Sequence, residues 1–414
     1  MARGDAAVNP PCRLDDYRWL TGDEARRWLD WLAAEPGSLV ARASRLRKRL
    51  SAERVHLLLE QVELRRRARA KFAHAERMFF TPTRLEQATD QYVAGYKASR
   101  FPREVPLADL CCGIGGDLLM LARRGPIVGV DCDPVMVLFA EANLRASGQG
   151  GAGPWRTEVR VDDAAAASVS SVAAWHIDPD RRAGGARTTT LVQCRPGQFP
   201  IERLLGDCAR GAVKLAPATE VPPAWSERAE LEWIGRDRQC RQLVAWFGGL
   251  AEHPGRRRAT IVANDAPQAV RTLVGSEATR APRTDAVGPY LFDPDPAVLG
   301  ARLLGALAAE HDLAQFAPEA AYLTGECPAS DAAVACFEVT DVLPFDVKRL
   351  RGLLKARHVG RLEIKKRAVP NRPEDVRRRL HLRGDASATL LLAPIAGRVT
   401  AIVARRWKES KRAE

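Results

Sequence analysis

The sequence predicts an α/β fold built on an open sheet of about seven mostly parallel strands. The strongest observation is the segment Leu107–Asp133, in which an apolar run breaks at three glycines, a helical pattern follows, and a second apolar run ends in an acid. Further apolar runs of strand length alternate with helical patterns beyond this segment. This alternation is typical of strand–helix–strand units with parallel strands.

The glycine turn in this segment predicts a nucleoside ligand. Gly113, Gly115 and Gly116 separate the strand from the helix, where glycines let the backbone approach a ligand and the helix start offers free N–H groups. Asp131 lies 22 residues after Asp109, at the end of the next strand. An acid at that position can accept hydrogen bonds from both hydroxyls of a ribose.

The turn differs from a dinucleotide site in two respects. Leu118 occupies the position of the third glycine of G-x-G-x-x-G, so part of the pyrophosphate cradle is missing. Asp109 precedes the turn, and its negative charge suits an ammonium group rather than a phosphate. We therefore expect a nucleoside that carries a positively charged group.

Acids also follow the next two predicted strands. The strand Thr157–Val161 ends at Asp162 and Asp163, and the strand 173–177 ends at the sequence Asp-Pro-Asp-Arg of residues 178–181. Between these elements and Asp131, Asp133 is expected to cap a helix with a proline at its first position. Ligands of open α/β sheets bind beyond the carboxyl ends of the strands. The acids expected to meet there are Asp109, Asp131, Asp163 and Asp178.

Four regions are predicted along the chain. Residues 1–100 form an α-helical N-terminal region, and residues 101–265 form the sheet domain. Residues 266–333, rich in Pro, Asp and Arg near their start, are expected to be a linker and a helical connection. Residues 334–414 read as strand, helix, strand, helix, strand, strand, which predicts a small basic α+β domain.

Composition bounds the class of protein. With 414 residues, 46% hydrophobic content and 28% charge, the chain is expected to be globular, with two or three domains. No apolar run approaches the roughly 18 residues of a membrane span, and no apolar signal core follows Met1, so a cytoplasmic location is expected. The nine cysteines include no C-x-x-C pair, which argues against both a disulfide framework and a metal site.

The net charge of +13 is unevenly distributed. Residues 1–100 hold 20 basic and 13 acidic residues, residues 101–340 hold 24 and 30, and residues 341–414 hold 20 and 8. Basic ends of this density suit a polyanionic partner such as nucleic acid. An arginine-rich surface without a partner is the alternative that charge alone leaves open.

Residues 109–116, with the pattern D-x-x-C-G-x-G-G, resemble motif I of the class I S-adenosylmethionine methyltransferases. The resemblance implies a Rossmann-like seven-stranded sheet and S-adenosyl-L-methionine as cofactor. It assigns the methionine end of the cofactor to the motif, the ribose to Asp131 and the adenine to Asp163. The motif residues expected to hold the cofactor are Asp109, Cys111, Gly113, Gly115 and Gly116.

Two predictions concern the segment just upstream of motif I. Thr83 is predicted to cap a helix, with Glu86 completing a capping box. Segments like Leu85–Thr89 recur in the methyltransferases that this chain resembles, where they help to wall the cofactor site.

The chain as a whole resembles a bacterial group of class I methyltransferases with a C-terminal THUMP-like domain, and segments 361–367 and 377–384 carry the THUMP-like part. True THUMP domains accompany RNA-modifying enzymes, so the resemblance implies RNA, such as tRNA or rRNA, as substrate. The cations expected to contact RNA are Lys365, Lys366, Arg367, Arg378 and Arg379.

The acceptor site is expected at Asp178, Pro179 and Arg181. Methyltransferases that act on base amines usually carry D/N-P-P followed by an aromatic residue, and this chain retains only the first two residues of that pattern. Asp178 could orient or deprotonate the acceptor, and Arg181 or Arg182 could contact phosphate or stack on a base. The alternatives are methylation of a protein or small molecule, and a catalytically inactive RNA-binding or assembly factor.

Overall fold

The computed structural model describes residues 13–148, 155–181 and 189–407. These residues divide into two compact units. The first contains the described residues up to Trp225, together with Val244–Glu252 and Ala263–Gln268. The second contains Ser226–Leu243, His253–Val262 and the described residues from Ala269 onwards. Within the described part of the chain, no helix has the length and apolar character needed to span a membrane.

Six helices lie among the described residues before the first strand, as the N-terminal pattern predicts. They are α1 (Leu14–Leu20), α2 (Asp23–Ala34), α3 (Leu39–Leu46), α4 (Ala52–Ala68), α5 (Pro82–Gln87) and α6 (Gln91–Ser99). Ser51 caps α4 and Asp90 caps α6, because each side chain accepts a hydrogen bond from an amide of the first turn.

Helix α5 begins two residues earlier than the sequence predicts. Its cap is Thr81, whose side chain accepts a hydrogen bond from the Arg84 amide, and Pro82 takes the first helical position. The fixed φ of proline is preorganised for that position. The prediction that Thr83 caps this helix is therefore wrong.

Five parallel strands form the sheet of the first unit. They are β1 (Leu107–Leu110), β2 (Ile127–Asp131), β3 (Thr157–Val161), β4 (Ala174–Ile177) and β5 (Gly211–Leu215), in the order β3-β2-β1-β4-β5. The connecting helices are α7 (Leu118–Leu121), α8 (Pro134–Ala146) and α9 (Gln198–Asp207), and α10 (Pro223–Arg228) follows β5. Asp133 caps α8 and Pro134 is its first residue, as predicted. The strand order reverses beside β1, and such points form ligand crevices in open α/β sheets.

The central strands are buried on both faces. Every residue of β1, β4 and β5 is buried, which accounts for their nearly continuous apolar sequences. Register places Asp109 on β1 between Gly129 on β2 and His176 on β4. Lys214 lies inside β5. These three polar side chains interrupt the apolar strands, and all three belong to the site described below.

The second unit begins with the strands β6 (Glu230–Arg236), β8 (Arg257–Val262) and β9 (Ala269–Gly275), while β7 (Gln239–Trp246) contributes residues to both units. Strand β6 pairs with β8 in parallel, and β8 pairs with β9 antiparallel. Two buried charged side chains of this layer compensate each other, since Arg258 on β8 donates to Glu230 on β6 at 2.6 Å.

A separate seven-stranded sheet completes the second unit, in the order β11-β12-β10-β13-β16-β15-β14. Its strands are β10 (Tyr290–Pro294), β11 (Ala314–Ala317), β12 (Tyr322–Gly325), β13 (Val334–Pro344), β14 (Val359–Lys366), β15 (Ala386–Ile395) and β16 (Arg398–Arg406). Helices α13 (Val347–Ala356) and α14 (Pro373–Leu380) follow β13 and β14 and pack their leucines into a core with β14, β15 and β16. The predicted alternation of strands and helices after residue 334 is observed.

Residues 266–333 differ from the expected linker. They contain β9 to β12 and the short helices α11 (Pro296–Gly300) and α12 (Leu304–Glu310). Strand β10 pairs with β12 and with β13, so this region supplies three strands to the seven-stranded sheet. The strands are four to seven residues long and lie among turn-forming residues, which is why the composition resembles that of a loop.

Candidate cofactor and acceptor site

A cavity of about 600 Å³ lies in the first unit at the carboxyl ends of the parallel strands. Its volume falls within the usual range of sites for cofactors and small ligands. Nine of the ten predicted site residues line this cavity. They are Asp109, Cys111, Gly113, Gly116, Asp131, Asp163, Asp178, Pro179 and Arg181.

The glycine turn shapes one side of this cavity. Cys111, Gly113 and Gly115 have positive φ values of 56°, 54° and 90°. A Cβ atom on Gly113 would meet nothing within 4 Å, so the turn leaves open space there. A Cβ atom on Gly116 would lie 3.1 Å from the Thr89 carbonyl oxygen, so Gly116 permits close approach of that chain segment.

Gly115 does not line the cavity. Its predicted contact with the cofactor is replaced by a conformational role, because its φ of 90° suits glycine and its amide donates to the Cys112 carbonyl at 2.9 Å.

Asp131 is held in a fixed orientation at the end of β2. Its Oδ2 accepts a hydrogen bond from the Gly113 amide at 2.8 Å, and its Oδ1 accepts one from the Asp133 amide at 3.0 Å. Burial raises the pKa of this carboxyl above its ordinary value. Since a carboxylate oxygen can accept more than one hydrogen bond, both oxygens retain capacity for the hydroxyls of a ribose.

Two adjacent acids follow β3, and only one of them borders the cavity. Asp163 lines it together with Ala164 and Ala165, whereas Asp162 is not among the lining residues. Asp163 accepts a hydrogen bond from the Ala165 amide at 2.8 Å and is exposed. This placement agrees with the choice of Asp163 over its neighbour.

Asp109 belongs to a buried network that the sequence did not predict. Its Oδ1 lies 2.7 Å from His176 Nδ1, and His176 Nε2 lies 3.3 Å from Lys97 Nζ on α6. Lys97 Nζ in turn lies 2.7 Å from Asp117 Oδ1, and Thr89 donates to Asp117 Oδ2 at 2.7 Å. His176 thus contacts the first acid of motif I directly. Asp117 follows motif I immediately, which was the available signal.

Burial and charge act in opposite directions along this network. Burial raises the pKa of Asp109, and the neighbouring His176 partly counteracts that effect. Burial would also raise the pKa of Asp117, but the Lys97 ammonium and His176 lower it well below the ordinary value. Burial lowers the pKa of Lys97, against the attraction of Asp117. Asp117 is therefore the ionised partner of the Lys97 ammonium.

A second buried cation stands beside the predicted acceptor residue. Lys214 Nζ lies 2.6 Å from Asp178 Oδ2 and 3.5 Å from the Gln87 carbonyl oxygen. Burial opposes the charged form of Lys214, but Asp178 and Asp117 raise its pKa. Lys214 also lines the cavity. A single lysine inside the apolar run 212–216 was the sequence signal for this residue.

The loop after β4 is tied to a later segment. Asp180 and Arg195 exchange two backbone hydrogen bonds, of 2.8 and 2.9 Å. This pairing brings Arg195, Pro196 and Gly197 to the cavity, where Arg181 and Arg84 are also found. Phe199 lies between two lining residues, Gly197 and Pro200, and is 88% exposed. Arg182, the alternative to Arg181, lies outside the described residues.

The segment upstream of motif I walls the cavity, as the resemblance implies. Gln87, Ala88 and Thr89 are lining residues. Lys71 Nζ donates to the carbonyl oxygens of Leu85, Glu86 and Ala88 at 2.7 to 3.0 Å and so holds the end of α5 in place.

The two cysteines of the glycine turn lie in surroundings that disfavour the thiolate. Burial raises the pKa of Cys111 and of Cys112 well above the ordinary value. Because the thiolate is the nucleophilic form of cysteine, this environment does not favour a nucleophilic role for either residue.

Two of the cations predicted to contact RNA are occupied within the second unit. Lys365 Nζ lies 3.0 Å from Asp293 Oδ2, and Arg367 donates to the other oxygen of the same carboxylate. The Arg367 guanidinium also lies 4.8 Å from the centre of the Tyr322 ring. These side chains are mostly buried because they face the sheet. The other three, Lys366, Arg378 and Arg379, are exposed.

The cavity fits S-adenosylmethionine on the chemistry of its residues. Asp109 Oδ2 is buried and has no hydrogen-bond partner among the described residues, so it is available to a cationic group of a ligand. Asp131 offers two oriented oxygens to a ribose, and Asp163 offers a third carboxylate at the same sheet edge. This set of acids thus suits a nucleoside that carries an amino acid at one end.

Comparison with known proteins agrees with this reading. A THUMP domain-like family model matches residues 334–406, and a family described only as a domain of unknown function matches residues 13–68. An uncharacterized S-adenosylmethionine-dependent methyltransferase of Mycobacterium tuberculosis, recorded in two strains, is 33% identical over 369 residues, covering 85% of this chain and 98% of the relative.

A solved structure from Porphyromonas gingivalis W83, provisionally named a methyltransferase, is 19% identical. It matches 95% of this chain and 98% of its own length with a TM-score of 0.73, which supports the class I fold with its helical N-terminal region and C-terminal domain. Together, the fold, the glycine turn with its acids, and the sequence relationship place the chain in the family of S-adenosylmethionine-dependent methyltransferases.

Proposed function

We propose that this methyltransferase acts on RNA, such as tRNA or rRNA. The observation that carries the proposal is the THUMP domain-like match over residues 334–406. Domains of this kind, on the resemblance stated above, accompany RNA-modifying enzymes. The basic character of the same region, with 20 basic and 8 acidic residues from residue 341 onwards, supports a polyanionic substrate.

The cations best placed for RNA lie on the two helices of this domain. Arg351 on α13 donates to the Arg379 carbonyl oxygen on α14, which ties the two helices together. Exposed cations on these helices are Lys348, Arg349, Lys355, Arg378 and Arg379. We assign the RNA contacts to this group and to Lys366, because Lys365 and Arg367 are both held in ion pairs with Asp293.

The rim of the cavity supports a nucleobase as the group that enters it. Phe199 is exposed and stands between the lining residues Gly197 and Pro200 in the sequence, and Arg195 and Arg181 line the cavity. Aromatic faces stack on bases, and arginines contact phosphates or stack in turn. Phe199 would supply the aromatic surface that the sequence of residues 178–181 lacks.

We assign the cofactor to Asp109, Asp131 and Asp163, with the turn from Cys111 to Gly116 beside it. When bound, S-adenosylmethionine supplies a methyl group on a sulfonium sulfur. The group that leaves is a neutral thioether, so its departure requires no acid. The protein therefore has to align the acceptor with that methyl group. Asp178, beside Pro179 and Arg181, is the side chain we place at the acceptor, and Lys214 holds its carboxylate at 2.6 Å.

Calorimetry with S-adenosylhomocysteine tests the cofactor assignment. Asp131→Ala removes both acceptors for the ribose and is expected to weaken binding at least about tenfold. Asp162→Ala is the matched control, since this exposed acid does not line the cavity, and its affinity should stay within about twofold. Absence of binding by the intact protein, or full binding by Asp131→Ala, would refute the assignment.

Transfer of labelled methyl groups tests the RNA assignment. The acceptors are the tRNA, rRNA, protein and small-molecule fractions of cells that lack this gene, so that the target is unmodified. Label in an RNA fraction is expected, and mass spectrometry of its nucleosides then identifies the atom. Label confined to protein or small molecules would contradict the proposal, and RNA binding without any label would favour a binding or assembly role.

A further inference from the structure

Asp109, the first acid of motif I, lies in a central strand with 1% of its surface exposed, where an ionised carboxylate is costly unless it is compensated. One oxygen is compensated by His176 at 2.7 Å, and the other has no partner among the described residues. The next group beyond His176 is the Lys97 ammonium, which is 2% exposed. The carboxylate thus has one satisfied oxygen and one free oxygen beside the cavity.

The partners of His176 define its hydrogen atoms. An ammonium only donates hydrogen bonds, so His176 Nε2 accepts from Lys97 at 3.3 Å. The proton of a neutral imidazole then resides on Nδ1, which donates to Asp109 Oδ1. Lys97 is itself anchored by Asp117, and Asp117 by Thr89 in the segment that walls the cavity.

We propose that His176 and Lys97 are positioning residues that orient the Asp109 carboxylate, leaving Oδ2 as the acceptor for the ammonium of the cofactor's methionine end. The inference rests on the proposed cofactor site. In this arrangement Lys97 selects the tautomer of His176, and His176 is the donor among the described residues that orients Asp109 and favours its ionised form. Lys97 does not line the cavity, and His176 lines it in contact with Asp109, so we expect the effect of both residues to fall on the amino acid end of the ligand.

Two ligands separate this role from a general structural one. S-adenosylhomocysteine carries the amino acid end, whereas 5′-methylthioadenosine carries the adenosine and sulfur without it. His176→Leu removes the donor to Asp109, and the affinity for S-adenosylhomocysteine is expected to fall about 10- to 100-fold, as for the loss of a hydrogen bond to a charged group. The affinity for 5′-methylthioadenosine should stay within about threefold.

His176→Asn is the matched variant, because asparagine has the same branching and number of heavy atoms as leucine and its amide can still donate to Asp109 from the position of Nδ1. We expect this variant to retain the wild-type ratio of the two affinities within about threefold. If the leucine variant does not fold, the affinity ratio of the asparagine variant still tests the proposal.

Three results would overturn the proposal: unchanged binding of S-adenosylhomocysteine by His176→Leu, equal loss of both ligands in that variant, or loss of the affinity ratio in His176→Asn. Failure of the wild-type protein to bind either ligand would instead refute the cofactor site on which the proposal rests, so the two failures are distinguishable.

Discussion

Lys97→Met probes the buried ion pair most sharply, because it removes the ammonium and keeps an unbranched side chain of similar length. Lys97 Nζ and Asp117 Oδ1 are 2.7 Å apart, and the side chains are 2% and 10% exposed. With an effective dielectric constant of about 20, unit charges at that separation attract by about 6 kcal/mol. Desolvation of both charges offsets part of this attraction. Removal of one partner from such a pair costs about 3 to 5 kcal/mol, since the other charge is left buried.

Native-state hydrogen exchange measures this loss of stability separately in each strand of the fold. A loss of 3 to 5 kcal/mol corresponds to amide exchange in β1 and β4 that is faster by about two to three and a half orders of magnitude. Peptides from β15 and β16, in the second unit, serve as an internal control and should be unaffected. The control variant is Lys48→Met, an exposed lysine in the same unit, for which a change within about 0.5 kcal/mol is expected.

The reasoning would be refuted if exchange in β1 and β4 accelerated less than about tenfold in Lys97→Met, because the pair would then contribute no more than an exposed one. A uniform acceleration that included β15 and β16 would equally contradict a local role for Lys97.

Three further predictions concern the cofactor and the acceptor. Burial raises the pKa of Asp109 and of Asp131, and both bind as carboxylates. Affinity for S-adenosylhomocysteine should therefore be highest where both groups are ionised and decline on acidification at a higher pH than for ordinary carboxyl groups. Calorimetry showing an affinity that does not change on acidification would contradict this. Asp178→Asn should lower labelled methyl transfer by about 100-fold or more while cofactor affinity stays within about threefold; equal rates would exclude a role at the acceptor. Phe199→Ala should raise the KM for RNA at least about fivefold, and Phe199→Trp should restore the KM because it keeps an aromatic face. Val192→Ala, at another exposed apolar residue, is the control and should leave the KM unchanged. A normal KM in Phe199→Ala would count against base stacking.

The fold and most of the cofactor residues could be predicted because their signals are local. A glycine turn between two apolar runs, with an acid at the end of each run, specifies strand, turn and helix within about 25 residues. Parallel strands end at one edge of a sheet, so the position of an acid in the sequence also predicts its place in the fold. Asp109, Asp131, Asp163 and Asp178 were predicted in this way, and all four border the cavity.

Errors arose where a residue's role depends on distant neighbours. Lys365 and Arg367 were predicted to be free cations in a basic run, but both pair with Asp293, more than seventy residues earlier. A charge reversal at these two positions would therefore disturb the sheet as well as any RNA contact, and Arg378 and Arg379 are the better sites for that experiment. Residues 266–333 were expected to be a linker and a helical connection, and their strands were missed because such short strands are stable only when paired with β13 and with one another.

By itself, the sequence determined the class of the fold, the nucleoside character of the ligand and the acids that meet it, since each follows from periodicity, turn residues and the common edge of parallel strands. Tertiary structure alone decided which oxygens of those acids are free and which are occupied. His176 reaches Asp109 across 67 positions and Lys97 reaches His176 across 79, and only burial gives these contacts their strength. Charge and hydrogen-bond compensation is a property of three-dimensional neighbours, and no pattern along the chain encodes it directly.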